Sequence, residues 1–188
     1  MRVFAFCLAA LLPALPVWSQ EEQAHLDAAS TRVEWTLGDV LHTVHGTFKL
    51  KRGDIRFDAA TGKASGELVV DAASGESGSG ARDSRMHKNI LESGKYPDIV
   101  FAPDRVVGTV NLQGDSDIQM HGTFTIHGAG HEVTLPVKCH VDQQKLAATL
   151  QFAVPYQKWG MKNPSTLFLR VDDNVKIEIH AVGQLNQF

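Results

Sequence analysis

The sequence predicts an all-β domain, an antiparallel barrel with one short helix. Three observations predict it. From Ile118 to Ile126 the residues Ile118, Met120, Phe124 and Ile126 hold one parity while Gln119, His121, Thr123 and Thr125 hold the other, which is a strand with one dry face. After Gly128-Ala129-Gly130 the rule resumes with Val133, Leu135, Val137, Cys139 and Val141, so the two runs form a hairpin. The same one-sided pattern then recurs along most of the chain, broken by glycine, aspartate and asparagine. A two-sheet sandwich would also satisfy one-sided strands; the barrel is the preferred reading, because in nearly every strand only one parity is apolar.

Taken in order, residues 1–19 stand apart. Arg2 precedes an apolar run from Val3 to Leu12, followed by Pro13, Pro16 and the small residue Ser19. This reads as a secretory signal peptide cleaved after Ser19, because the run is too short to span a bilayer. The expected compartment is therefore periplasmic or extracellular, and residues 20–188 form a single domain. Without Arg2 the 18 basic residues become 17 against 21 acidic, a formal net charge of −4. That balance argues against nucleic acid and anionic membrane surfaces as partners. No second long apolar run follows, so no stable membrane insertion is expected; a homodimer is left open. Cys7 leaves with the leader and Cys139 remains as the lone thiol, which rules out an intramolecular disulfide.

The expected strands are Thr31 to Leu37, Val44 to Leu50, Asp54 to Asp58, Ala64 to Asp71, Asp98 to Ala102 and Arg105 to Leu112. The hairpin follows, then Leu146 to Val154, Thr166 to Val171 and Val175 to Val182. Turns are expected at Arg52-Gly53-Asp54, Ala60-Thr61-Gly62 and Asp172-Asp173-Asn174. One segment breaks the β rhythm. Ser74 to Gly80 reads as a flexible lead-in, and Ala81 to Ser93 places Met86, Ile90 and Leu91 at helical spacing with Gly94 as terminator. Such a helix would cover one opening of the barrel. Its charged residues, Arg82, Asp83, Arg85 and His87, are read as a solvated face rather than a catalytic group.

These segments resemble the YceI-like family of periplasmic polyisoprenoid-binding proteins. The resemblance rests on RVEWTL, HGTFKLKRGDIRFD, ELVVDAAS, RDSRMHKNILESGKYPDIVF and MHGTFTIHGAGHEVTLPV, and it covers essentially all of the mature chain. It implies an extended lipocalin-like antiparallel β-barrel whose hydrophobic tunnel holds a long isoprenoid or fatty lipid tail, without cofactor or catalytic motif. The segment Pro155 to Thr166 follows the family pattern only loosely.

Independently of family, Gly46, Gly66 and Gly122 share parity with inward-facing Phe48, Leu68 and Phe124. Two explanations stand: these glycines relieve strain where strands bend, or they leave room for a ligand in a hollow barrel. The expected lining is Trp35, Phe48, Phe57, Phe101, Gly122, Phe124, Ile126, Leu135, Val137, Leu150 and Phe152. Arg82, Asp83, Tyr156 and Trp159 are the expected mouth, near the lipid's polar head. A possible quinone head is among the ligands this allows.

Two other classes of function compete with lipid binding. Nine histidines, with His42 near His45 and with His121, His127, His131 and His140 around one hairpin, raise a metal site. Parity turns His121, His127 and His140 away from the apolar face, and no regular ligand spacing occurs, so no metal is assigned. An enzyme acting on a tunnel-bound lipid is the other alternative. It lacks a Gly-x-Ser-x-Gly elbow in a strand-turn-helix setting, and Cys139 sits on the inward parity as an inert core thiol.

Overall fold

A computed structural model describes residues 21–38, 42–165 and 170–187. The expected leader lies outside the described residues, as does most of the expected strand Thr166 to Val171. The strands are β1 (Glu21–Leu26), β2 (Arg32–Gly38), β3 (Thr43–Asp58), β4 (Ala64–Glu76), β5 (Asp98–Val107), β6 (Gly114–Ile126), β7 (Ala129–Asp142), β8 (Lys145–Val154) and β9 (Val175–Gln187). From β2 to β9 each strand pairs antiparallel with the next, and β9 closes back onto β2. Closure removes the open edges that a sheet would otherwise present.

β1 does not add a ninth wall position. β2 pairs with β3 from Thr43 to Phe48 and with β9 from Lys176 to His180, whereas β1 pairs with β3 from Asp54 to Asp58 and with β9 from Gly183 to Gln187. The two segments are halves of one stave of an eight-stranded antiparallel barrel. They are interrupted at residues 27–31, where the Asp27 carboxylate accepts hydrogen bonds from the Ala29 N–H (2.9 Å) and the Ser30 hydroxyl (2.6 Å). β1 escaped sequence reading because its first inward residue is Glu22, which is fully buried. Gln187 Nε2 donates to its Oε1 at 3.2 Å, and burial pushes the Glu22 carboxyl above its ordinary range.

Two expected strand pairs are single bulged strands. Arg52-Gly53-Asp54 is no turn: β3 runs through it, with its pairing to β4 slipping between Leu50 and Arg52. The slip moves the inward set from Phe48 and Leu50 to Ile55 and Phe57, and this parity change imitates a chain break. β5 likewise shifts register between Pro103 and Arg105, so that Ile99 and Phe101 give way to Val106 as inward residues. β4 is longer than expected and takes in Ser74, Gly75 and Glu76. A Cβ on Gly75 would collide with the Phe48 ring and the Met86 methyl, so this glycine belongs to the packing and not to a loose lead-in.

The helical segment consists of α1 (Gly80–Arg85) and a π-helical turn, Met86–Ile90. It ends earlier than expected. Glu92 adopts the left-handed conformation at φ 47°, and the Leu91 N–H donates to the Met86 carbonyl, so Glu92 rather than Gly94 turns the chain. His87 Nε2 donates to the Gly75 carbonyl at 2.8 Å and its Nδ1 lies 3.2 Å from the Ser93 hydroxyl, which ties the segment to the end of β4.

One continuous apolar cluster runs along the inside of the barrel. At the end under β1 it is packed by Phe57, Val106, Ile118, Leu135, Val137, Cys139 and Leu185, all buried. Cys139 keeps the inward parity, and burial raises its thiol pKa. A thiol reagent should therefore label native protein slowly and unfolded protein quickly. Equal rates would mean that β7 is displaced by one residue from this register.

Candidate functional site

The other half of the barrel is hollow. A cavity of about 550 Å³ lies between β2, β3, β4, β5, β6, β8 and β9 and the helical segment, within the roughly 300 to 1,000 Å³ that suits a small ligand. Val33, Trp35 and Leu37 face it from β2, Phe48 from β3, Phe124 and Ile126 from β6, Phe152 and Val154 from β8, and Val175, Ile177 and Ile179 from β9. These are the alternate residues of each strand, so the pleat that makes the dry face also makes the wall. The helical segment closes one side through Ala81, Arg82, Arg85, Met86, Ile90 and Leu91, one stripe of its surface. Tyr156, Met161 and Pro164 approach from the loop after β8.

Of the residues expected from sequence, the cavity brings together Trp35, Phe48, Phe124, Ile126, Phe152, Arg82 and Tyr156. Phe57, Phe101, Leu135, Val137 and Leu150 point inward but do not line it; all five belong to the packed core or lie against it. The reason is axial position. Parity tells which face of a strand is dry, but not how far along the barrel the open space extends. Gly122 also fails to line the cavity. A Cβ there would run into the Ala102 carbonyl and Pro103 Cα of neighbouring β5, beside the bulge, so Gly122 is small to let two backbones approach. Gly66 (φ 102°) is held against the Asp54 carbonyl, and Gly46 against the Trp35 indole and the Glu76 carbonyl. All three glycines serve the wall.

Asp83 turns away from the cavity. It accepts a hydrogen bond from the Ser77 hydroxyl, which holds its carboxyl below the ordinary range. Arg82 reaches back to the same residue, its Nε donating to Ser77 Oγ at 2.7 Å and its Nη2 to the Ser77 carbonyl at 2.9 Å. Trp159 packs outside the lining, stacked on His131 at 4.1 Å and tilted against Phe124 at 5.7 Å. Tyr156 is buried and its hydroxyl donates to the Asp172 carbonyl at 3.0 Å, with burial raising its pKa. Several lining residues were missed by the sequence reading. Val33, Leu37, Val154, Val175, Ile177 and Ile179 share the apolar parity of their strands, and the helical stripe carries the apolar spacing, so the signal was present but not singled out.

Several histidines pair with carboxylates. His121 lies 2.8 Å from Asp104 and 3.6 Å from Glu132, His140 2.7 Å from Asp115, and His127 3.2 Å from Glu92. Among the described residues, two groups have ligand atoms close enough to share a cation: Asp104, His121 and Glu132, and Glu34, Glu178 and His180. Both groups contain imidazole–carboxylate pairs that account for their proximity.

The model of the YceI-like domain matches residues 25–183. The chain belongs to the YceI-like family. A relative of this YceI-like barrel, a UPF0312 protein of Pseudomonas putida, is 31% identical over 179 residues, covering 90% of this chain and 91% of that protein. Among solved structures, Burkholderia cenocepacia BcnA aligns with TM-score 0.69 at 19% identity, covering 84% of this chain and 98% of its own. A polyisoprenoid binding domain from Saccharophagus degradans, implicated in plant cell wall breakdown, aligns with TM-score 0.66 at 14% identity, covering 87% of this chain and 98% of its own. At these identities the two structures share the fold with the YceI-like chain.

Proposed function

We propose that this protein is a non-enzymatic carrier or store that holds a polyisoprenoid or another long-chain lipid inside its barrel. The observation that carries this reading is the lining itself. Among the described residues that face the cavity the polar side chains are Arg82, Arg85 and Tyr156 and the rest are apolar, so the space offers the surface a lipid tail requires. The binding named for the Saccharophagus degradans domain agrees with it.

The energetics require a preformed site. Burying several hundred Å² of tail at about 25 cal/mol per Å² is worth on the order of 10 kcal/mol gross, and lost motion costs about 4 to 15 kcal/mol. A closed barrel keeps its walls in place before the ligand arrives, which limits that cost. Mass spectrometry of an organic extract of protein purified from its native host should show a long-chain lipid near one per barrel. An extract without lipid, from protein that also takes up none in solution, would remove the carrier reading.

The proposed place of action is outside the cytoplasm, after loss of residues 1–19. The exported protein should then begin at Gln20. Intact-mass measurement checks this, and a mass that retains Met1 to Ser19 would sink the export proposal.

A further inference from the structure

The lining also bears on which lipid the barrel takes. Among the described residues its only charged members are Arg82 and Arg85, one helical turn apart on the stripe that faces the cavity. Their situations differ. Arg82 is bound to Ser77 beside the Asp83 carboxylate, whereas among the described residues the Arg85 guanidinium has no hydrogen bond or ion pair. A guanidinium at the rim of an apolar space, able to make two parallel hydrogen bonds, fits a carboxylate or a phosphate and gains little from a neutral carbonyl.

The cavity also limits the tail. The barrel cannot lengthen this space inward, because Phe57, Leu135 and Val137 close the half beyond it. Resting on the carrier reading, we propose that the ligand is a single-chain amphiphile with an anionic head at Arg85 and its tail inside the barrel.

The test uses delipidated full-length mature protein and matched pairs: oleate against oleyl alcohol, and geranylgeranyl monophosphate against geranylgeraniol, each below its aggregation limit. At low ionic strength each acid should bind about tenfold tighter than its alcohol, as expected for one charge-assisted contact. Added salt should narrow that gap, and Arg85→Gln should close it, with thermal melting to establish that the variant is folded. The tighter of the two acids identifies the head as carboxylate or phosphate. Equal binding of acid and alcohol by the wild type, or a gap that survives both salt and Arg85→Gln, overturns the anionic head. Those results leave the carrier reading standing, whereas no binding of any probe removes it together with the inference.

Discussion

Ile177→Trp should empty the barrel without unfolding it. Ile177 lies on β9 between Phe152 of β8 and Trp35 of β2, half-buried, with its side chain facing the cavity. An indole at this position extends into open space instead of into packed neighbours, so the cost should stay below the roughly 1 to 3 kcal/mol typical of overpacking a filled core. The same indole occupies the middle of the volume that a tail would use. Lipid recovered per mole of protein should fall at least about tenfold, since a ligand that loses a few hundred Å² of contact loses several kcal/mol. The checks are the extracted lipid and the urea midpoint, measured on the same preparation. A folded variant that still carries a full load would place the ligand elsewhere.

Gly122→Trp should have the opposite outcome. Its parity with Phe124 makes Gly122 look like floor under a ligand, and a tryptophan there would be expected to block the channel while the barrel survives. The structure puts the Ala102 carbonyl and Pro103 Cα where the new Cβ would be. These are backbone atoms that cannot rotate away, so β5 and β6 must separate at the bulge. The expected loss exceeds about 3 kcal/mol, enough to consume much of the stability of a domain of this size. Urea denaturation and soluble yield measure it. Even Gly122→Ala should lower the midpoint clearly, because the obstruction is met at Cβ. A nearly unchanged midpoint with lost lipid would restore the channel-floor reading.

These two substitutions divide the barrel between what local pattern determines and what assembly determines. Alternation in β2, β6, β7, β8 and β9 was legible because each strand is wet on one side and dry on the other, and water imposes a period of two on such a strand wherever it sits. The all-β class, the hairpin at Gly128 and the burial of Cys139 follow from that local rule, and the helix beside the barrel from the segment that breaks it. So does the family, whose segments run through the whole chain.

Tertiary structure decided the rest. β1 was invisible because Glu22 is charged, and only the surrounding β3 and β9 make it an inward residue. The bulges in β3 and β5 looked like chain breaks, since a register slip and a turn both reset parity. The roles of Gly46, Gly66 and Gly122 depend on which backbone lies across from each, a neighbour that the sequence does not name. Above all, Phe57 and Phe152 carry the same local signal, yet one fills a packed half and the other faces open space. Periodicity gives the direction of a side chain from its strand. Where the barrel is hollow depends on the volumes of residues brought together from eight wall positions, and that sum exists only once the barrel has closed.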